Sequence, residues 1–321
     1  MTALKKIPKI LLLLFLFFVL ILFACFPARY MQVFFQGVSL WAVCVLPSAL
    51  PFLFLTGLIT RTGGVRALSR GLSPVTSVLF RLSGVSGYCL LMSFLSGYPV
   101  GAKLLADLKE NGVVSPSEAT KMSVLCSSSG PLFVLGSVGS GMFGNAKIGW
   151  ILLLSHYLAV LLGGIALRFY PSTAEKNYLP ALQRSDNLLY DTMYSSVLSV
   201  LCVGGFIAVF YTLSFLLADW NLLKPLSDAL ALCGIPEREA VALSRGLVEM
   251  TGGCKSLADS AAPINIALCA FLITFGGLSV LVQQIGYLKK AEVSLRVFLP
   301  VKLLQALISA GIAFLLASIT A

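Results

Sequence analysis

Glycine, proline and serine interrupt two apolar runs of this chain, and the interruptions hold the residues best suited to chemistry. The first reads Ser96-Gly-Tyr-Pro-Val-Gly-Ala-Lys103, and the second reads Ser127-Ser-Ser-Gly-Pro131. Unpaired backbone N–H groups at such places can hold a small anion, because a helix N-terminus carries a partial positive charge. At membrane depth, irregular backbone is tolerated only where protein buries it or where it lines a cavity. The pattern therefore predicts a ligand site.

The second half of the chain repeats this arrangement. Gly101-Ala-Lys-Leu-Leu-Ala-Asp107 matches Gly253-Cys-Lys-Ser-Leu-Ala-Asp259, and residues 124–139 overlay residues 271–286. The overlay brings Gly130 onto Gly277. Interrupted helices at corresponding places in two halves are typical of the binding site of a secondary transporter.

We therefore expect the substrate to contact residues of both halves. The candidate substrate-binding residues are Gly97, Tyr98, Pro99, Gly101, Lys103, Ser127, Ser128, Ser129, Gly130, Glu249, Thr251, Gly252, Gly253 and Lys255. Lys103 and Lys255 occupy equivalent places, so each can meet one carboxylate of the substrate, and Tyr98 can stack on an aromatic ring. The alternative is that both lysines anchor their segments at the membrane surface, with the charge reaching water.

Two further ionisable residues have open roles. Glu249 is the only acid near the second-half interruption, and an ionisable group at membrane depth is costly and usually functional. It can carry a coupling proton or bind a cation, or it can form an ion pair with Lys255 or Arg245. His156 can relay protons, although we favour a hydrogen-bonded structural histidine.

Composition places the chain in a membrane. Of its 321 residues, 58% are hydrophobic and only 11% are charged, whereas soluble domains average about 25% charged residues. The net charge of +10 comes from basic residues in short segments between apolar runs, which is the positive-inside pattern and not a nucleic-acid-binding surface. No spacing of cysteine and histidine suits a metal, so we expect no metal site and no cofactor.

The apolar runs predict an all-α polytopic membrane protein with about seven spans and two re-entrant, broken hairpins. The predicted spans cover residues 10–26, 33–60, 122–143, 148–170, 195–218, 264–285 and 298–319. Residues 1–32 form the first span, 33–170 the first repeat, 171–194 a cytosolic linker, and 195–321 the second repeat. Basic segments place the N-terminus in the cytosol, so the two hairpins enter from opposite sides as an inverted repeat.

The same motifs carry a resemblance to a known family. Residues 96–103, Ser129-Gly-Pro-Leu-Phe-Val-Leu-Gly136 and Gly246-Leu-Val-Glu-Met-Thr-Gly-Gly-Cys254 resemble the YlbJ-type sporulation integral membrane proteins. Those proteins carry nucleoside-recognition Gate domains related to concentrative nucleoside transporters. The resemblance covers about residues 30–320. It implies a bacterial cell-membrane protein of endospore formers, in the outer forespore membrane, that moves dipicolinic acid toward the forespore.

The residues and the resemblance together predict a transporter of a small anionic substrate, working by alternating access in a lipid bilayer. A carrier of nucleosides or other small metabolites is one alternative, and a structural protein of spore assembly is another. No set of residues for an enzyme is recognised. A coupling proton or sodium ion, co-transport of calcium and a homo-oligomeric assembly are left open.

Overall fold

The computed structural model describes residues 7–172 and 187–320, and the regular elements in both ranges are helices. The prediction of an all-α membrane protein is confirmed. Five described helical stretches are long and apolar enough to span a membrane, and a bent helix pair makes six if counted as one span. The five are Pro27–Arg61, Ala146–Phe169, Leu188–Asp219, Pro263–Lys290 and Leu295–Thr320.

The first half begins with an apolar helix and a long span. Its elements are α1 (Ile7–Cys25), α2 (Pro27–Leu40), α3 (Leu46–Arg61), α4 (Gly64–Phe80), α5 (Gly84–Ser96), α6 (Val100–Glu110), α7 (Pro116–Leu125) and α8 (Ala146–Ala166). A π-helical turn, Trp41–Val45, joins α2 to α3 and lies just before Pro47. The predicted span at residues 10–26 is a shorter apolar helix than the five above.

The basic segment that follows α3 is not a loop. Residues 64–80 form α4, which is bent by 97° from α5. Arg66 and Arg70 lie on α4, whereas its exposed apolar residues include Val75 and Val78. By the positive-inside rule the arginines between the predicted spans 33–60 and 122–143 indicate a cytosolic segment, but its apolar residues also recur at helical spacing and form the amphipathic helix that the structure shows.

The predicted span at residues 122–143 consists of two pieces. Helix α7 begins at Pro116 with Ser115 as its N-cap, whose hydroxyl accepts the N–H of Glu118 at 3.2 Å. It ends at Leu125, and the serine run then leads to a π-helix, Leu132–Met142. A continuous helix is disfavoured here because serine side chains compete for backbone hydrogen bonds, glycine loses the most backbone entropy, and proline lacks an N–H group.

The second half contains the same order of elements. They are α9 (Leu188–Asp219), α10 (Lys224–Leu232), α11 (Glu237–Val248), α12 (Met250–Leu257), α13 (Pro263–Phe275), α14 (Gly277–Lys290) and α15 (Leu295–Thr320). The short pair α5 and α6 forms the first hairpin, and α11 and α12 form the second hairpin, which corresponds to it. The interrupted α13 and α14 correspond to α7 and the π-helix. Helix α9 begins inside the predicted linker, of which residues 173–186 lie outside the described residues.

Helix α15 packs against α7, α8 and α13. Its buried face includes Phe298, Lys302, Gln305 and Ser309, while Leu303 and Leu307 are exposed. A span that turns polar residues inward can supply hydrogen bonds to backbone that other helices leave unpaired. This position brings α15 next to the interruptions of both halves.

Candidate functional site

A glycine contact joins each short helix pair to the interrupted helix that follows it. Gly97, between α5 and α6, has φ of +74°, and a Cβ there would lie 2.5 Å from the backbone nitrogen of Gly130. Gly277, at the start of α14, has φ of +62°, and its Cβ would lie 2.8 Å from the carbonyl oxygen of Gly246. Only glycine combines this backbone conformation with such close contact. Gly130 and Gly277, which the repeat aligns, therefore lie at matching contacts.

Serine hydroxyls support the end of α7. Ser93 of α5 donates to the carbonyl oxygen of Cys126 at 2.6 Å, and its hydroxyl lies 2.9 Å from that of Ser128. All three residues are buried. Because the last carbonyls of a helix have no partner within that helix, Ser93 replaces the missing donor from the neighbouring hairpin.

His156 of α8 connects the interruptions of the two halves. Its Nε2 accepts the backbone N–H of Ser129 at 2.8 Å, and its Nδ1 lies 2.9 Å from Oγ1 of Thr274 in α13. The ring is fully buried. Since Nε2 is an acceptor, the neutral ring carries its proton on Nδ1 and donates it to Thr274. The hydrogen-bonded histidine expected from the sequence is confirmed.

Lys302 of α15 was not among the predicted site residues. Its Nζ donates to the hydroxyl oxygen of Tyr98 at 3.0 Å and to the carbonyl oxygen of Ser127, and its side chain is fully buried. The Tyr98 hydroxyl in turn donates to the carbonyl oxygen of Thr274 at 3.1 Å. Lys302 is the only charged residue between Val297 and the end of the chain, and this feature could have identified it.

Two more side chains of α15 bond to backbone of neighbouring helices. Gln305 Nε2 donates to the carbonyl oxygens of Val124 in α7 at 3.0 Å and Val160 in α8 at 3.2 Å. Ser309 donates to the carbonyl oxygen of Ala270 in α13 at 3.4 Å.

We call Tyr98, Ser127, Ser129, His156, Thr274 and Lys302 the polar junction. It joins the first hairpin to α7, α8, α13 and α15.

Glu249 caps a helix. It is buried between α11 and α12, and its two carboxylate oxygens accept the backbone N–H groups of Thr251 at 2.9 Å and Gly252 at 2.6 Å. Arg245 instead lies over the ring of Phe215, at 3.7 Å from the centroid. No ion pair joins Glu249 to a basic residue among the described residues, so the structure does not show the ion pair that the sequence left open as an alternative. The unpaired N–H groups at the start of α12 are nearer partners for this carboxylate.

A small cavity of about 60 Å³ lies where both hairpins meet the interruption of α7. Residues of both halves line it, and no charged side chain of the described chain is among them. A second cavity of about 380 Å³ lies between α3, α6, α9 and α14, and its charged lining residues are Arg61, Lys103 and Asp107. Both cavities share Val203 and Gln283, so they adjoin each other.

The structure separates the predicted site residues into three groups. The small cavity is lined by Gly97, Tyr98, Ser129, Gly130 and Thr251. The large cavity is lined by Pro99 and Lys103. The residues that line neither cavity are Gly101, Ser127, Ser128, Glu249, Gly252, Gly253 and Lys255. Lys103 bonds to the Ser195 hydroxyl at 3.3 Å, whereas Lys255 is exposed, so the two lysines do not share a cavity.

Comparison with known proteins identifies the family. The chain is 33% identical over 308 residues to the sporulation integral membrane protein YlbJ of Bacillus subtilis (strain 168). The match covers 87% of this chain and 76% of that relative. The chain belongs to the YlbJ family of sporulation integral membrane proteins. No model of a described protein family matches it.

Solved structures show which fold this YlbJ-family protein shares. It is similar to the concentrative nucleoside transporter CNTnw in an outward-facing state, with a TM-score of 0.53 and 14% identity over 87% of this chain and 76% of CNTnw. A CNTnw structure in the intermediate 1 state gives a TM-score of 0.52 at 14% identity, over 98% and 86% of the two chains. The YlbJ-family chain therefore has a transporter-like fold.

Removing the His156 hydrogen bonds is expected to destabilise this YlbJ-family protein. In His156→Phe the ring volume remains, but the N–H of Ser129 and the hydroxyl of Thr274 lose their partner. Leaving two buried polar groups unpaired costs about 2–4 kcal/mol. Thermal unfolding in detergent should show this loss. His156→Gln, which keeps a donor and an acceptor, should lose less, and equal losses in both variants would contradict the role assigned to the hydrogen bonds.

Proposed function

We propose that this protein is a secondary transporter of a small anionic substrate. The observation that carries the proposal is the small cavity, because both hairpins and the interruption of α7 meet there between the two repeats. When a binding site lies between two repeats, movement of one repeat against the other can open the site to either side of the membrane. The shared fold with a transporter and the membership of a membrane family support the same function.

The two cavities suggest how substrate enters. The small cavity, at about 60 Å³, is below the roughly 300–1,000 Å³ of an ordinary ligand pocket, whereas the large one, at about 380 Å³, lies in that range. We infer that the large cavity admits substrate and that the small one is the binding site in a closed form. By the positive-inside rule we assign the large cavity, with Arg61 and Lys103, to the cytosolic side.

The charges favour an anion over a cation. Two basic side chains and one carboxylate line the large cavity. An aromatic dicarboxylate can leave its charged groups on the basic residues while its flat ring reaches Tyr98 and the apolar wall of the small cavity. Dipicolinic acid has this chemistry. We propose it as the substrate and the outer forespore membrane as the location, with the N-terminus in the cytosol.

Lys103 and Lys255 give a matched test of this proposal. Lys103→Gln should raise the KM for dipicolinate uptake about 10- to 150-fold, because a charge-assisted hydrogen bond to a ligand contributes about 1.5–3 kcal/mol. Lys255→Gln should leave KM unchanged, since Lys255 is exposed outside both cavities. Uptake into vesicles that contain only this protein measures both. Equal KM values in the two variants would contradict the assignment of Lys103.

One observation favours a second candidate, a carrier of nucleosides or other neutral metabolites. Uncharged groups, including Tyr98, Ser129, Thr251 and Gln283, are the polar lining of the small cavity. Such groups suit a neutral ring with hydroxyls. In the same vesicles, nucleoside uptake without dipicolinate uptake would select this candidate. A role in spore assembly would be favoured by two results together. The vesicles would take up neither compound, and spores of a strain that lacks the gene would contain no dipicolinate.

A further inference from the structure

Lys302 is a buried lysine that lies outside both cavities of the proposed substrate path. Its side chain lines neither cavity, and its Nζ donates to the hydroxyl of Tyr98, which itself lines the small cavity. The Tyr98 ring is also 5.1 Å from Nζ, measured to the ring centroid. A lysine at this depth is costly to bury, so its retention needs a reason other than substrate contact.

The partners of Lys302 are those of a bound cation. Helix α7 ends at Leu125, and the Ser127 carbonyl that accepts from Nζ lies just beyond that end. The last carbonyls of a helix carry partial negative charge and attract cations. In secondary transporters, the carbonyls of unwound helices and the ends of half-helices coordinate the sodium ion or proton that drives transport. The Lys302 ammonium therefore lies where a free coupling ion is expected.

Among residues 7–172 and 187–320, no carboxylate bonds to Lys302. Of the helices packed against α15, α13 carries no charged residue, and α8 faces the polar junction with His156. On α7, Glu118 binds the hydroxyl of Ser83, and Lys121 binds the carbonyl oxygens of Arg81 and Arg168. Within the described chain, no ion pair includes Lys302. The Ser127 carbonyl oxygen, the Tyr98 hydroxyl oxygen and the C-terminal end of α7 together suit one positive charge.

We propose that the Lys302 ammonium is a tethered cation that fills the coupling-ion position at the end of α7, so that transport needs no sodium ion. This inference rests on the proposed transport function for its effect on coupling, but occupancy of the position can be measured without transport. The ammonium holds the first hairpin, through Tyr98, against the interruption of α7. The Lys302 ammonium thus stays bound to the Ser127 carbonyl and the Tyr98 hydroxyl, whereas a free ion would bind and dissociate during transport.

The test measures thermal unfolding of the purified protein in detergent. Lys302→Ala leaves space and an uncompensated carbonyl, so its melting temperature should fall and recover in ethylammonium, which restores a donor cation. Tetramethylammonium, which has no N–H, should not restore it. Lys302→Met fills the space without a charge and should not recover in either. Recovery of Lys302→Met, or equal effects of both ions, would overturn the proposal.

The sodium dependence of the wild-type protein provides a second test of the proposal. The wild-type melting temperature and uptake rate should be equal in sodium and choline chloride, and stabilisation by sodium would overturn the proposal even if Lys302→Ala fails to fold. In vesicles, uptake by Lys302→Ala should fall about tenfold, as expected for loss of a charged hydrogen bond. If the wild type takes up no compound, the proposed function fails. The rescue by ethylammonium would still show whether Lys302 fills a cation-binding position.

Discussion

Gly101→Ala is expected to abolish transport and to lower the free energy of unfolding by about 3 kcal/mol or more. A Cβ at Gly101 would collide with the carbonyl oxygen of Cys126 and would lie 2.6 Å from the Ser93 hydroxyl. Neither partner can move easily, because the Ser93 hydroxyl donates to that same carbonyl at 2.6 Å. The added methyl group would therefore separate the first hairpin from the end of α7. Uptake assays and thermal unfolding in detergent measure the two losses.

Gly205→Ala is the matched control. Gly205 also lies in a helix, α9, but no atom lies within 4 Å of the Cβ that alanine would add. Its effect should be small, because alanine favours helix more than glycine does. If Gly101→Ala were as stable and as active as Gly205→Ala, the close contact between the hairpin and α7 would not be needed.

Glu249→Gln should lose stability and transport together, by about 2 kcal/mol in the free energy of unfolding. Each carboxylate oxygen of Glu249 accepts one backbone N–H at the start of α12. An amide offers only one acceptor oxygen, so one N–H would face the donating NH2 group instead. Because the group is buried, water cannot compensate. Thermal unfolding and uptake, measured on the same preparation, report the two effects.

Glu237→Gln is the control, since Glu237 is an exposed acid at the start of α11 in the same hairpin. It should behave as the wild type. A Glu249→Gln variant that keeps full stability but loses uptake would contradict the capping role and would favour the coupling role that the sequence left open for Glu249. Loss of both properties is the result expected from the hydrogen bonds.

The positions of the long spans were predictable because burial in lipid demands unbroken apolar helices. The predicted spans at residues 148–170 and 298–319 correspond to Ala146–Phe169 and Leu295–Thr320. The interruption at residues 127–131 was also predictable, because its glycine and proline disfavour a helix. Helix α4 was not predicted, because its arginines indicate a segment outside the membrane without showing whether it is helical.

Side-chain partners were harder to predict. The repeat made Lys103 and Lys255 equivalent, yet one lines a cavity and the other is exposed. The sequence brought Glu249 close to two basic residues, but its partners are backbone N–H groups. Sequence spacing on one helix does not show which groups of neighbouring helices compete for a side chain.

The sequence by itself determined that this protein crosses a membrane, that its two halves repeat, and that its helices break at glycine and serine. These properties follow from apolar length and local backbone preference. Only the tertiary structure decided that Lys302, 175 residues from Ser127, binds the end of α7, and that His156 joins the interruptions of both halves. Such contacts depend on how α15 and α8 pack against the broken helices, because unpaired carbonyls and N–H groups bind whichever polar side chain the packing brings near.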